Sequence, residues 1–336
     1  MIKCARLSPA LWVVLIMITS LIAGLVFSGC KKPAPKVKTI TLGVVPRGTT
    51  GEFLKSIHAG AEMAADELRV RIIWNGPLKE GDPNEQAQIV RTLIESRVDA
   101  LLLDPIDGQA LAGPMEEACK RGIPMVIFNS SPEGGPSAAC VSTDNSKGGV
   151  AAGDHVGTLL KGKGRLILVR EKENIGDSAA RTEGFLKTIR SKYPKVQILA
   201  DGQFAGVDSE AAYLACKNLL NKFNRADAIF APSESATFGC LRALRERGLA
   251  GKVILVGFDT SKELIEALAK KEISGLVIQS PIHMGYESVR VALAHLRGKP
   301  HEKNIDAGVF LATPDNMNEY KMKKLLSPDL SILLIR

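Results

Sequence analysis

A chain of 336 residues with 45% hydrophobic and 24% charged residues is long enough for two ordinary domains, and this composition excludes a disordered chain or one embedded in a membrane as a whole. The formal net charge is +8, but basic and acidic residues are interspersed along the chain. No basic stripe with interleaved aromatic residues is present, so we expect a mixed, solvated surface and no nucleic-acid partner.

The N-terminal residues predict an export signal followed by a tether. Positive charge in residues 1–10 precedes an uncharged apolar run over residues 11–27, which is typical of a secretory signal peptide covering residues 1–29. An uncleaved membrane anchor is the alternative, since an apolar run of this length is at the lower limit for spanning a bilayer. Both interpretations place the chain from Cys30 onward outside the cytoplasm, with the Lys- and Pro-rich residues 30–37 as a solvated tether.

The last residues of this signal resemble the lipobox of bacterial lipoproteins. Ser28 and Gly29 are the small residues that precede the cysteine, although Phe27 stands where Leu is usual. The resemblance implies that Cys30 is acylated, becomes the first mature residue and anchors the protein to a membrane.

The cysteines beyond Cys30 show no metal-binding spacing and no CxxC motif. Export would permit disulfides, and the pairs 119–140 and 216–240 are both conceivable. Four buried free thiols are the default expectation. The connectivity of any disulfides cannot be derived from one sequence.

From Thr39 onward, short apolar runs alternate with amphipathic runs. In chain order, the predicted strands are residues 39–45, 70–74, 99–103, 124–128, 139–143, 164–170, 196–200, 227–231, 252–258 and 275–279, and the predicted helices are residues 51–68, 83–97, 108–122, 178–193, 209–223, 234–248 and 262–272. Apolar strands separated by helices indicate parallel sheets that are covered on both faces. Residues 98–129 and 226–259 share the same element order, which indicates a duplicated topology. We therefore predict an α/β fold of two doubly wound parallel-sheet lobes.

Polar and aromatic residues follow many of the predicted strands. In open α/β sheets, ligands bind at the carboxyl ends of the strands, so facing lobes would form a cleft lined by these residues. The residues so placed are Arg47, Thr49, Thr50, Phe53, Trp74, Asn75, Asp104, Asp107, Asn129, Ser130, Arg170, Arg181, Ser233, Glu234, Asp259 and Gln279. Carboxylates, amides, arginines and rings suit a small polyhydroxylated ligand.

Several of these residues have a purely structural alternative. Asp107 and Ser233 or Ser235 could simply cap helices. Trp74 could cover the edge of a lobe, and Phe53 could face either the cleft or the core.

Motifs for catalysis or phosphate binding are missing from the sequence. There is no G-x-G-x-x-G after the first strand, no G-x-x-x-x-G-K-[ST] and no G-x-S-x-G, and the histidines form no ligand cluster. We therefore expect no enzyme activity, no cofactor and no metal.

Nine blocks together resemble the bacterial periplasmic sugar-binding proteins of the ribose-binding type. They are TTGEFLKSIHAGAEMAADEL, IIWNGP, LLLDPIDGQAL, GIPMVIFNS, STDNSKGGVAAG, SAARTEGF, SESATFGCLRAL, VILVGFDTSKELIEAL and VIQSPIHMGYESV. The resemblance covers nearly everything from Thr39 to about Pro314. It implies a monomer that closes two lobes around a monosaccharide or polyol and presents it to an ABC permease.

The resemblance also implies where the lobes divide. The chain would cross near Thr143-Asp144, near Gln279-Ser280 and near Asp306–Gly308. The N-terminal lobe would comprise residues 38–143 plus 280–306, and the C-terminal lobe residues 144–279 plus 307–336.

Five positions match ligand-binding positions of the ribose binders. Phe53 falls on a ring-stacking position and Asp104 on a strand end that carries Asn in the family. Arg181 and Asp259 match sugar-bonding groups, and Gln279 matches a hinge glutamine. The full set of predicted ligand-binding residues is Phe53, Asp104, Asn129, Ser130, Arg181, Ser233, Glu234, Asp259 and Gln279.

Departures from the family pattern leave the ligand open. Asn129-Ser130 stands where ribose binders carry Asp-Arg, Leu54 replaces a second Phe, and Ser233-Glu234 replaces Asn-Asp. These changes rewire the hydrogen bonding, so ribose itself is not implied; other pentoses, hexoses, polyols and the furanosyl signal autoinducer-2 are alternatives. A subunit that presents bound ligand to a membrane kinase or chemoreceptor is the alternative function. A LacI-type transcription regulator shares this fold but needs an N-terminal helix-turn-helix. Residues 1–38 are predicted to be a signal and tether instead, so we do not expect this function.

Overall fold

The computed structural model describes residues 39–78, 81–130, 136–171, 176–206 and 208–334. The predicted signal, tether and lipidation site at Cys30 lie outside the described residues. Among the helices within those ranges, none is long and apolar enough to cross a membrane.

Twelve strands and ten α-helices are found in the described part of the chain. The strands are β1 (Thr41–Val45), β2 (Arg71–Trp74), β3 (Ala100–Leu103), β4 (Met125–Phe128), β5 (Ala139–Ser142), β6 (Lys163–Arg170), β7 (Lys195–Phe204), β8 (Ala228–Phe230), β9 (Ile254–Phe258), β10 (Gly275–Gln279), β11 (Asn304–Asp306) and β12 (Val309–Ala312). The helices are α1 (Glu52–Leu68), α2 (Pro83–Glu95), α3 (Gly108–Lys120), α4 (Asn145–Leu159), α5 (Gly176–Lys192), α6 (Ser209–Lys222), α7 (Glu234–Glu246), α8 (Lys262–Ala269), α9 (Pro281–Leu296) and α10 (Tyr320–Leu326).

The strands form two six-stranded sheets. The first has the order β11-β5-β4-β3-β1-β2 and the second β12-β10-β9-β8-β6-β7. Neighbouring strands are parallel except β12, which runs antiparallel to β10. We call the first sheet with α1–α3 and α9 the first half, and the second sheet with α4–α8 and α10 the second half.

Each sheet is covered by helices on both faces because alternate strand residues point to opposite sides. In β3, Leu102 packs in the cluster formed with α1 and α9, whereas Leu101 and Leu103 pack in the cluster formed with α2 and α3. In β6, Leu168 joins a cluster with α4 and α5, while its neighbours join α6, α7 and α8. The predicted doubly wound α/β architecture is confirmed.

Helices approach each other closely at glycines in both halves. A methyl carbon added to Gly60 of α1 would lie 1.9 Å from the carbonyl oxygen of Ile282 at the start of α9. In the second half, a methyl carbon on Gly149 of α4 would lie 1.9 Å from the carbonyl oxygen of Arg181 on α5. Any larger side chain would collide with backbone, so both crossings depend on glycine.

The chain passes between the two sheets at three points. It leaves the first sheet after β5, leaves the second after β10, and passes from β11 of the first sheet to β12 of the second. At the last passage Asp306 accepts from the backbone N–H of Asp144 at 3.2 Å and of Gly308 at 2.9 Å, and it pairs with Lys147 at 2.9 Å. Beyond α10, a short 3₁₀ turn at Ser331–Leu334 lies against α1.

The cysteines differ in part from expectation. Cys119, Cys140, Cys216 and Cys240 are all free thiols, and the last three are buried. Cys119 is exposed near the end of α3, so the expectation of four buried thiols is wrong at this position.

Candidate functional site: a cleft at the strand ends

A cavity of about 730 Å³ lies at the carboxyl ends of the strands. The described residues that line it are Arg47, Glu171, Asp177, Ser178, Arg181, Ser209, Ser233, Glu234, Ser235, Phe238, Asp259, Ser261 and Glu263. Arg47 belongs to the first half and all the others to the second. The volume suits one small-molecule ligand.

Asp259 is the centre of a bonded group on the second-half wall. It follows β9 directly and has a positive φ of 62°, a left-handed conformation that Asp tolerates better than most residues. Its carboxylate accepts from Arg181 Nη1 at 3.2 Å and from Gln279 Nε2 at 2.6 Å. Gln279 in turn accepts a hydrogen bond from Thr143 Oγ1 at 2.8 Å, which ties this group to the point where the chain leaves the first sheet.

Arg181 is held from several sides, so its position is fixed before any ligand arrives. Its guanidinium carbon lies 3.7 Å from the ring centre of Phe258, and the residue is only 6% exposed. Nε donates to Asn145 Oδ1 at 2.8 Å and Nη1 donates to the carbonyl of Pro232 at 2.9 Å. A guanidinium ordered in this way can donate to ligand oxygens without a large entropic cost.

Asn145 and Asp177 extend the same group. The Asn145 side chain donates to Asp177 Oδ1 at 3.0 Å while accepting from Arg181, so one amide positions both charged residues. Burial raises the pKa of the Asp177 carboxyl, and the Arg181 charge opposes that shift only in part.

The first-half wall is organised around the fully buried Asp104. Its carboxylate accepts two hydrogen bonds from Arg47, at 2.9 and 2.8 Å, in a bidentate pair. Asn129 Nδ2 at 2.9 Å and Ser130 Oγ at 2.7 Å complete its coordination. The charge of Asp104 is therefore balanced inside this wall, and Arg47 alone among the four reaches the cavity.

Glu234 begins α7 and points into solvent within the cleft. Desolvation by the cleft walls, followed by the negative charges of Asp259 and Glu263, raises the pKa of its carboxyl to about 6. Unlike Asp104, it has no hydrogen-bond or ion-pair partner among the residues that the structure describes.

The predicted ligand-binding residues fall into three groups. Arg181, Ser233, Glu234 and Asp259 line the cavity, and Gln279 is bonded to Asp259. Asp104, Asn129 and Ser130 form the network around Arg47 and do not line the cavity. Phe53 is half-buried and packs against the core of the first half, which corresponds to the core-facing alternative for this residue.

The capping alternatives are confirmed for two residues. Asp107 caps α3 by accepting from the backbone N–H groups of Gln109 at 2.7 Å and Ala110 at 3.0 Å. Ser233 caps α7 by accepting from Ala236 N at 3.4 Å, although it also lines the cavity. Trp74 stacks on His58 with ring centres 4.2 Å apart and packs against the first-half core.

Sequence reasoning missed Asn145, Asp177 and Phe238. Asp177 could have been found, because it opens the helix that follows β6 and so obeys the strand-end rule. Phe238 lies inside α7, where an apolar residue gives no sign of facing a cavity. Within the described ranges, no group of three or more His, Cys, Asp or Glu side chains could hold a metal ion.

Comparisons with known proteins agree on one family. Residues 42–300 match the model of a periplasmic binding protein domain. The chain is similar to the ribose import binding protein RbsB of Bacillus subtilis, with 30% identity over 278 residues that cover 82% of this chain and 88% of the relative.

Two solved structures are similar in fold and sequence. A carbohydrate transporter solute binding protein from Agrobacterium radiobacter, in complex with D-arabinose, has a TM-score of 0.76 and 27% identity, covering 87% of this chain and all of the other. The periplasmic component of an ABC-type sugar transport system from Hahella chejuensis has a TM-score of 0.72 and 32% identity, covering 81% and 99%. All three relatives are binding proteins of transport systems, not enzymes.

Proposed function

We propose that this chain, which belongs to the periplasmic binding protein family, captures a small sugar or related polyol outside the cytoplasm and delivers it to an ABC permease. The observation that carries this proposal is the bonded group of Arg181, Asp259 and Gln279 at one wall of the cavity. The relatives support it, since they are named as ribose-importing, arabinose-bound and sugar-transporting proteins.

The chemistry of the wall fits a polyhydroxylated ligand. A carboxylate accepts from two hydroxyl groups, while a guanidinium and an amide donate to ring or hydroxyl oxygens. Asp259 and Arg181 line the cavity and supply the first two functions, while the amide of Gln279 lies behind Asp259 and orders it. Phe238 adds an apolar surface that can face C–H groups of the ligand.

We further propose that the two halves act as lobes that close around the ligand. The N-terminal lobe would be residues 38–143 plus 280–306 and the C-terminal lobe residues 144–279 plus 307–336. The three passages of the chain between the sheets support this division up to α10, whereas the turn at Ser331–Leu334 lies against α1 of the first half. Ligand contacts to Arg47 on one side and Asp259 on the other would favour the closed state by their differential binding energy.

The proposed lipid anchor rests on the sequence around Cys30. Replacing Cys30 with Ser should abolish incorporation of a labelled fatty acid and release the protein from membranes. The exposed thiol of Cys119 provides a matched control, because Cys119→Ser should leave labelling intact. Unchanged labelling of Cys30→Ser would reject the anchor.

A ligand screen tests the proposed function. We suggest purifying the full chain in a detergent without a sugar headgroup and measuring thermal unfolding against pentoses, hexoses and polyols. A ligand that binds only the native state raises the midpoint by mass action, and a hit should be confirmed by calorimetric titration. Arg181→Met should weaken that binding at least tenfold, whereas Arg242→Met, which breaks an exposed pair with Glu210, should leave it unchanged.

A further inference from the structure

The charged residues around the cavity are out of balance. The described lining contains two cationic side chains, Arg47 and Arg181, and five carboxylates, Glu171, Asp177, Glu234, Asp259 and Glu263. We infer that the ligand of this cleft carries a positive charge, as an amino-substituted sugar or amino-cyclitol does. This inference rests on the proposed function, because it names the class of ligand that the same site takes.

Both arginines are already paired with carboxylates of their own. Arg47 makes the bidentate contact with the buried Asp104, which lies outside the cavity lining. Arg181 contacts Asp259 at 3.2 Å and is otherwise held by Asn145 and a carbonyl. Neither arginine makes a salt bridge to another lining carboxylate in the described part of the chain, although both lie near enough for their charges to lower the pKa of Asp177.

The remaining four carboxylates have no cationic contact in the described part of the chain. Glu171, Glu234 and Glu263 make no hydrogen bond or ion pair there, and Asp177 has only the neutral amide of Asn145. Asp177 and Glu234 are the pair that matters most, because they lie beside the bonded group of Arg181 and Asp259. Partial burial raises the pKa of both carboxyls, and the negative charge of Asp259 adds to the shift of each. At Asp177 the positive charges of the two arginines oppose that shift in part.

An ammonium group on the ligand would satisfy the carboxylates of Asp177 and Glu234 better than a hydroxyl group would. It donates three hydrogen bonds and brings the missing charge, whereas a hydroxyl satisfies a carboxylate oxygen but leaves the charge unbalanced. A charge-assisted hydrogen bond is also about twice as strong as a neutral one. The hydroxyl groups of the same ligand would still use Arg181 and Asp259.

A metal ion is the competing way to balance the charge. Among the described residues, no three acidic, His or Cys side chains are placed to coordinate one ion. The absence of such a group among these residues favours an organic cation over a bare ion.

Matched ligands test the inference by calorimetric titration of the full chain at pH 7. D-Galactosamine and D-glucosamine should bind at least tenfold more tightly than D-galactose and D-glucose. N-Acetylation keeps the skeleton but removes the charge, so the N-acetyl derivatives should bind no more tightly than the neutral parents. The affinity of the amine should also fall with added salt, while that of a neutral parent should not.

Two variants locate the charge effect. Asp177→Asn and Glu234→Gln should each weaken amine binding about tenfold and weaken binding of the neutral parent by a clearly smaller factor, since both residues line the cavity. Equal losses for the amine and the neutral parent would contradict a charge effect at these residues. Glu210→Gln, an exposed carboxylate outside the cavity, is the matched control and should change neither.

The outcomes separate this inference from the proposed function. Neutral sugars that bind as tightly as their amino derivatives, or tighter, would overturn the inference and leave the function standing. Absence of binding by amino and neutral ligands alike would overturn both. Stabilisation by Ca²⁺ or Mg²⁺ alone, lost on adding EDTA, would also overturn the inference in favour of a metal.

Discussion

The two halves of the molecule have similar backbone structures but differ in how their charged residues are paired. Asn129 follows β4, the fourth strand of the first half, and Asp259 follows β9, the fourth of the second half; their φ angles are 63° and 62°. Asn129 donates to the internally balanced Asp104, whereas Asp259 faces the cavity and holds Arg181. The same turn therefore closes a network in one half and opens a binding surface in the other.

This difference shows which features the topology fixes and which the side chains decide. Sheet order, the glycine crossings and the left-handed turns recur in both halves because strand twist and helix packing impose them. The carboxylates at the strand ends can differ between the halves, because replacing one residue there changes the chemistry of the wall without disturbing the fold. The proposed ligand contacts are consequently concentrated on the second-half wall.

Breaking the glycine crossings should have the largest effect and should affect both halves equally. Gly60→Ala and Gly149→Ala each place a methyl group within 2 Å of a backbone carbonyl, which forces a helix to move. We expect each to lower the free energy of unfolding by about 3 kcal/mol, measured by urea denaturation. Gly113→Ala in α3 is the control: its nearest neighbour would be a side-chain atom of Arg91 at 3.9 Å, so better helix propensity should leave stability unchanged or raise it. Equal stability of all three variants would contradict the close approach at the crossings, and unequal losses for Gly60→Ala and Gly149→Ala would contradict their equivalence.

Removing one carboxylate from each half should give opposite results. Asp104→Asn leaves the Arg47 charge without its bidentate partner and should cost about 2 kcal/mol of unfolding free energy. Glu234→Gln removes an unpartnered charge among like charges and should leave the unfolding midpoint unchanged or raise it. Thermal unfolding at pH 7 measures both, and equal losses would show that the two walls do not differ as described.

The halves should also differ in their response to acid. His58 on α1 is partly buried, and this burial lowers its pKa from 6.5 to about 4. Its Nε2 atom lies 3.4 Å from Glu62 Oε1. Folded His58 thus binds fewer protons than the unfolded chain between these pH values, so stability falls as pH falls through that window. The loss should be on the order of 2 kcal/mol, discounted for partial exposure.

Comparing His58→Asn with the wild type isolates this contribution. The stability difference between the two proteins should shrink as the pH falls from 7 to 4. His283→Asn, at an exposed position on α9, should show no such convergence. Parallel curves for His58→Asn and the wild type would remove His58 as the cause.

The smallest effect is expected at the passage between the halves. Lys147 of α4 pairs with Asp306 of β11 at 2.9 Å, but 63% of the lysine side chain is exposed. Lys147→Met should therefore leave the urea unfolding midpoint close to that of the wild type. A loss as large as that of Asp104→Asn in the same measurement would contradict the expectation for an exposed ion pair.

The sequence was sufficient to predict most of the fold, because apolar strands and amphipathic helices differ in period. The strands and helices predicted between Thr39 and Gln279 are confirmed, but the helices predicted in chain order did not include the glycine-rich α4 (Asn145–Leu159) or, further on, α9 (Pro281–Leu296). The last part was missed for physical reasons: β11 is a three-residue strand, and β12 pairs antiparallel at an edge, so neither has a long apolar run.

Prediction of the site was less complete. Strand-end logic identified Arg181 and Asp259, which line the cavity, and it also selected Asp104, which does not. A buried carboxylate that satisfies an arginine and one that faces a ligand have the same sequence signature. Only the surroundings in the structure distinguish them: Asp104 is enclosed by hydrogen-bond donors, whereas Asp259 bonds Arg181 and Gln279 and still lines the cavity.

The most direct test of the central claim is a calorimetric titration of the full chain and of Asp259→Asn with the same panel of neutral and amino sugars. Asp259 should contribute to binding whatever the charge of the ligand, because it orders Arg181 and accepts from ligand hydroxyls. We predict saturable binding of at least one panel member, with an affinity at least tenfold weaker in the folded variant. No binding to the wild type, or equal affinity in the two proteins, would contradict the assignment of this cleft as a sugar-binding site.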